Sequence, residues 1–358
     1  MNIYNYLEYY GEFSFKDKPF NEIDNVIFSL LSYINFNYIV STNKKNKITL
    51  EEVANRYFSH HNKKTDKYNI LAVRDAVKLL DKIQKVPRFK DVLVYNYEYI
   101  GNESSQFSAM TFEIKKDLCY IAFEGTDQLI SGWKEDCKMA YEFPVEAHKY
   151  AINYINHNFF FNTRKLILGG HSKGGNLALV AGMYANSLIK RRIVNIYSND
   201  GQGLRKAQIE SNEYKSIEDR FIYIIPQNSV VGLLLRHTNK NEIVYSNKLG
   251  LLAHMASSWE VEYDHFKREK LSKVSEMLDT GIITWLDKYD DEKREKFVNS
   301  VFIILEENNI ESLIQLKQNI NLVFKIIKSS KNMDPIVKEM LNDLIIVFKD
   351  LIKENNWI

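Results

Sequence analysis

The segment LILGGHSKGGNLA, residues 166–178, holds the residue types best suited to nucleophilic chemistry. The chain has 14 glycines in 358 residues, yet Gly169, Gly170, Gly174 and Gly175 all lie within a few positions of Ser172. Gly170-His171-Ser172-Lys173-Gly174 fits the pattern G-x-S-x-G. An apolar strand-like run ends on its left and a helix-like run begins on its right, the setting of a nucleophile elbow. The chemistry needs this spacing for steric reasons. A serine on so tight a turn takes an unfavourable backbone conformation, and Gly170 and Gly174 remove the Cβ atoms that would strike neighbouring elements. The helix opening at Lys173 directs free N–H groups at a developing negative charge, so the Lys173 N–H is expected as one oxyanion donor. Neither G-x-x-x-x-G-K-[ST] nor G-x-G-x-x-G occurs, which argues against a phosphate-binding loop.

A second oxyanion donor is expected at an earlier strand end. CYIAFEGTDQLISGWKED supplies Glu124-Gly125-Thr126, where Gly125 permits close approach and Thr126 offers an N–H and a hydroxyl. Ser172 also needs a base, and the base an orienting carboxylate, in the chain order serine, acid, histidine. His254 follows the strand-like EIVYSN and is the favoured base; His237 precedes that strand and is the alternative. Asp200 directly follows the strand-like RIVNIYS, which puts it at the rim expected for Ser172. It is the favoured acid, although NDGQG also reads as an ordinary turn. Glu218 and Asp219 read as a solvated helix end.

These side chains need a scaffold. Residues 1–90 read mostly as helix, with Thr49 and Glu52 spaced as a capping box. FSAMTFEI and DLCYIAFEG read as a hairpin turned at Lys115, Lys116 and Asp117. Beyond Pro144, helical and strand patterns alternate, which implies an α/β fold: a mostly parallel sheet with helices on both faces. From about residue 265 only amphipathic helical patterns remain, in EKREKFVNSVFIILEEN, ESLIQLKQNINLVFKIIKSS and DPIVKEMLNDLIIVFKDLIKEN. The expected division is a main domain over 1–265 and a C-terminal all-helical extension over 266–358.

Together the motifs resemble the class 3 lipase family of α/β-hydrolases, and more closely an uncharacterised bacterial family of lipase-like α/β-hydrolases. The resemblance rests on IAFEGTDQLISGWKED and LILGGHSKGGNLA, with NDGQGL, IIPQNSVVGLLL and AHMASSW adding to it. It covers roughly residues 1–260 and is specific over 118–178. It implies the α/β-hydrolase fold, Ser172 as nucleophile, and Thr126 and Lys173 around the oxyanion. Three positions depart from the lipase pattern. Glu124 stands where an arginine is usual, and Lys173 where a leucine is common. Where these lipases carry their acid, this chain has Asn228 or Ser229, neither of which is a carboxylate. The acid has then moved to the preceding strand end, which favours Asp200, or it is absent.

The bulk composition sets outer bounds. There are 48 basic and 46 acidic residues, a net charge of +2, which gives no electrostatic case for nucleic acid. Aromatic content of 13% points to an aromatic core. Cys119 and Cys137 form neither a disulfide framework nor a metal-ligand pattern. The N-terminus lacks a signal-peptide pattern, and no run approaches the roughly 18 apolar residues of a membrane span, so a soluble cytoplasmic chain is expected. The expected activity is hydrolysis of a small-molecule or lipid ester, with no metal or organic cofactor required. A thioesterase or peptidase on the same scaffold, or a non-catalytic binding protein, are the alternatives. Oligomeric state leaves no mark in the sequence.

Overall fold

The structure is a computed structural model that describes residues 1–61, 71–101, 105–126, 130–238, 241–310 and 333–355. Eight strands form one sheet in simple sequential order: β1 (Ile48–Thr49), β2 (Leu93–Gly101), β3 (Gln106–Lys115), β4 (Leu118–Phe123), β5 (Lys165–His171), β6 (Ile193–Asn199), β7 (Phe221–Pro226) and β8 (Asn241–Val244). The pairings from β1 to β4 are antiparallel, and those from β4 to β8 are parallel. The hairpin over β3 and β4 and the alternation after Pro144 are therefore as the sequence implies. Strand β2 was not anticipated, although Val92, Val94, Tyr95 and Tyr97 are all buried. Its β-branched and aromatic run, VLVYNYEYI, was the signal.

Helices cover both faces. On one side pack α1 (Ile3–Tyr10), α2 (Glu22–Leu31), α3 (Leu50–His60) and α4 (Leu71–Ile83). On the other, after α5 (Ile130–Lys138), lie α6 (Glu146–Phe159) and α7 (Lys173–Met183). Strand β4 shows the division residue by residue. Tyr120 and Ala122 join the first core, whereas Cys119, Ile121 and Phe123 join the second, because successive side chains of a strand point to opposite faces. Every residue of α7 is buried, so this helix behaves as a core element rather than an amphipathic cover. The Thr49 hydroxyl caps α3 by accepting from the Glu52 N–H at 3.2 Å, but the Glu52 carboxylate pairs with Arg56 instead of closing a capping box.

Beyond the sheet stand α8 (Lys273–Lys288), α9 (Asp291–Glu307) and α10 (Pro335–Asn355). Trp285, Phe297, Phe302, Val337 and Met340 form a third core that also takes in Met139, Val145 and Leu235 from the sheet region. Arg294 donates to the Ala140 carbonyl at 2.8 Å, and Lys134 pairs with Glu306 at 3.3 Å across the same boundary. The helical reading of residues 311–330 lies outside the described residues.

Candidate active site

Strand β5 ends at His171, and α7 begins at Lys173, so Ser172 alone makes the turn. Its backbone sits at φ 59° and ψ −134°, a region that side chains rarely occupy. The glycines explain how the turn closes. A Cβ on Gly170 would lie 2.2 Å from the Gly174 carbonyl carbon, and one on Gly174 would lie 2.1 Å from the Phe123 carbonyl oxygen. Strand β4, strand β5 and the start of α7 meet too closely here for any side chain. As the first residue of α7, Lys173 has an N–H with no helical carbonyl one turn back.

Parallel register brings Asp200 to the same rim. His171 pairs with Asn199, and the Ser172 N–H donates to the Asn199 carbonyl at 3.0 Å. Asp200 follows at φ 48°, wholly buried. Its Oδ2 accepts from His254 Nδ1 at 2.7 Å. Its Oδ1 accepts from the Ser229 hydroxyl at 2.5 Å and from the Gly232 N–H at 3.1 Å. Asp200 and His254 are thus brought into direct contact, with Ser172 on the neighbouring strand end. The Ser172 hydroxyl makes no hydrogen bond to a described residue.

His254 is held from several sides. Its ring centroid lies 4.3 Å from that of His171, and His171 Nε2 donates to the His254 carbonyl at 2.7 Å. Since that nitrogen donates, His171 Nδ1 must accept, and the Tyr33 hydroxyl donates to it at 2.9 Å. Burial and the neighbouring His254 hold His171 well below the usual histidine range, which keeps this bridge neutral. The buried Trp259 indole donates to the Ala253 carbonyl at 2.9 Å and anchors the same loop. His237 takes no part in the contact with Asp200. It faces the Tyr223 ring edge-on and makes no hydrogen bond to Asp200.

Around the expected oxyanion position, both carboxylate oxygens of Asp136 accept from the Thr126 hydroxyl, at 2.8 and 2.9 Å. Burial lifts the Asp136 carboxyl to about 6, an effect that the Lys173 ammonium and the Thr126 hydroxyl oppose. The Lys173 side chain turns into the protein. It forms an ion pair with Glu135 and donates to the Gln106 carbonyl at 3.0 Å. Glu135 also accepts from the Ser105 hydroxyl at 2.7 Å and the Ala147 N–H at 3.0 Å.

Sequence reasoning did not single out Tyr33, Ser229 or Glu135. In the sequence, Ser229 stands out only as a position without a carboxylate, and nothing local marks Tyr33. Among the described residues, no His, Cys, Asp and Glu side chains are grouped to hold a metal ion, and no helix is long and apolar enough to cross a membrane.

A parallel half-sheet whose central strand turns through a strained serine into a buried helix defines an α/β-hydrolase of the lipase-like class. Residues 83–303 match the Mbeg1-like family, and the chain belongs to that family. No curated protein matches it. Among solved structures it is similar to a Rhizomucor miehei lipase in its propeptide complex, with 14% identity over 42% of this chain and a TM-score of 0.29. A fungal lipase–inhibitor complex gives 13% identity over 42% of this chain and 67% of the other, with a TM-score of 0.29. The M37 lipase gives 13% identity, 58% and 68% coverage, and a TM-score of 0.28. The chain spans 58% of the length of the first of these lipases.

Proposed function

We propose that the protein is a serine hydrolase that cleaves carboxylic esters through an acyl-enzyme. The observation that carries this reading is the contact between His254 and the buried Asp200 carboxylate, on the strand end beside the strained Ser172. In the reaction, the Ser172 hydroxyl adds to the ester carbonyl while His254 Nε2 takes its proton. Asp200 holds Nδ1–H and stabilises the imidazolium. The backbone N–H groups of Lys173 and Thr126 receive the oxyanion, each such donor contributing about 10²–10³ in rate. His254 returns the proton to the leaving alcohol, and water then releases the acid by the reverse sequence. The missing hydrogen bond from Ser172 is compatible with this, since such contacts often tighten only when substrate binds. Exposed Leu249 and Leu252, on the short turn before His254, offer an apolar flank that suits the acyl chain of a lipid or small-molecule ester.

A fluorophosphonate probe should label Ser172, and the purified protein should hydrolyse p-nitrophenyl esters in preference to acyl-thioesters and peptide amides. Ser172→Ala and His254→Ala should abolish both labelling and turnover while the fold persists. Unchanged ester hydrolysis in Ser172→Ala would end the reading.

A further inference from the structure

The rim opposite Ser172, about 20 Å away along β5, holds a second set of polar side chains that the ester chemistry does not use. A cavity of about 130 Å³ opens there, lined by Lys44, Lys47, Arg164, Asn96, Asn158 and Asn162 together with two aromatic rings. Among the described residues, no acidic side chain lines it. Glu113 accepts from Lys47 at 2.5 Å and pairs with Arg164 at 3.4 Å, and Glu98 accepts from the Asn158 amide at 3.1 Å, so two carboxylates stand against three cations. The arrangement leaves positive charge in excess at one small cavity, with the Lys44 ammonium outside any ion pair to a described residue.

Asn96 supplies an independent sign of a missing ligand. It sits in the irregularity of β2 between Tyr95 and Glu98, with φ 58° and almost no exposure. The Tyr154 hydroxyl donates to its backbone carbonyl at 2.8 Å, which pins the bulge. Its side-chain Nδ2 is buried with no hydrogen-bond partner among the described residues. A buried donor without an acceptor is costly, and such a group calls for an explanation by a bound species. The C-terminus of α6 ends at this cavity, and helix C-termini repel anions. Here the Phe159 carbonyl is already occupied by Arg192 at 2.6 Å and by the Asn162 N–H at 3.2 Å.

We infer that this cavity binds a phosphate-type dianion, either inorganic phosphate or the terminal group of a small phosphomonoester. The excess of cations and the orphaned Asn96 amide donor together suit a multiply charged oxyanion. Arg164 already donates Nε to the Lys116 carbonyl at 2.8 Å and Nη2 to Glu113, so it contributes its charge and its remaining Nη1 donor, while the lysines present compact charges suited to a tetrahedral oxyanion. A cavity of about 130 Å³ admits one such group.

The test is isothermal titration of the full-length protein with inorganic phosphate, with glycerol 3-phosphate and, by co-sedimentation, with phosphatidylcholine vesicles containing phosphatidic acid. Saturable binding of one equivalent of inorganic phosphate is expected. Tighter binding of glycerol 3-phosphate would identify a phosphomonoester as the natural source, and vesicle binding lost in the same variants would identify a lipid headgroup. Lys44→Ala and Lys47→Gln should each weaken binding about tenfold, the loss typical of one charge-assisted contact. Asn96→Gly, which suits a positive φ and removes the orphan amide, should weaken phosphate binding and leave the thermal midpoint in phosphate-free buffer unlowered. Ser172→Ala should bind phosphate as the parent protein does, which separates this site from the ester chemistry. Absence of saturable phosphate binding, or binding unaffected by Lys44→Ala and Asn96→Gly, would overturn the inference.

Discussion

Ser229 donates its hydroxyl to Asp200 Oδ1 at 2.5 Å, while Asp200 Oδ2 faces His254. One of the two residues, Asn228 or Ser229, expected at the acid position of the lipases this chain resembles thus hydrogen-bonds a carboxylate from the preceding strand end. Adjacent parallel strands finish side by side, so a carboxylate from β6 and one from the loop after β7 can reach the same imidazole.

Removing that support should be measurable. Ser229→Ala deletes a hydrogen bond to a charged group, worth about 1.5–3 kcal/mol, and should lower ester turnover about tenfold or more. Asp200→Asn should cost about 10⁴-fold, the size of effect seen when the orienting carboxylate of a serine triad is neutralised. Asp200→Asn combined with Ser229→Asp should recover part of the loss by placing the acid at one of the two positions expected for it in those lipases. Steady-state kinetics on a p-nitrophenyl ester decides among these outcomes; equal turnover by Asp200→Asn and the parent would remove Asp200 from the mechanism.

The Lys173 and Glu135 side chains are both almost sealed from water. Replacing one partner strands a charge in the interior. Lys173→Met and Glu135→Met should each destabilise the fold by about 3–5 kcal/mol. The double variant Lys173→Met/Glu135→Met should lose much less than the sum, because no ion is left unpaired. Urea unfolding of the four proteins gives the coupling; additive losses would show that the pair does not act as a unit.

Strain at Ser172 predicts a trade between stability and activity. At φ 59° and ψ −134° a glycine is relaxed where a serine is not. Ser172→Gly should abolish turnover and raise stability by about 1–3 kcal/mol. Ser172→Ala should abolish turnover without that gain. Denaturation midpoints of the two variants test this directly.

Acid should destabilise the protein through its buried histidines. His148 Nε2 donates to Asn176 Oδ1 at 2.6 Å, and its Nδ1 accepts from the Val145 N–H at 3.2 Å, so only the neutral ring satisfies both partners. Burial lowers His148 and His237 from 6.5 to about 4, and His171 lies lower than the ordinary value as well. Between about pH 4 and 6.5 the unfolded chain holds protons that the folded chain does not, so stability rises with pH across this window. Asp136 works in the opposite sense. Its folded value of about 6 against 3.8 means that its contribution falls as pH rises from about 4 to 6. Burial raises Asp24 and Asp279 in the same sense as Asp136, but the three deeply lowered histidines dominate the window, and the urea midpoint should climb from pH 4 to 7. His148→Gln, which can still donate and accept, should flatten that climb; a midpoint independent of pH would contradict the account.

The local text determined a good deal. The glycines around Ser172 are legible because a tight strand-to-helix turn forbids side chains at defined offsets, and those offsets survive in sequence. The parallel half-sheet is legible because strand and helix periodicities alternate after Pro144. Asp200 and His254 could be nominated from their places after strand-like runs. Their contact could not, since 54 positions separate them and only the lateral order of β5, β6 and β7 brings their ends together. Ser229 on Asp200, Tyr33 on His171 and Glu135 on Lys173 were decided by tertiary structure alone. Each joins segments distant in the chain, and a side chain gives no local sign of the partner that burial will assign to it. The unfilled donors at Asn96 belong to the same category: a bulge, a helix end and three cations meet there only after the sheet has formed.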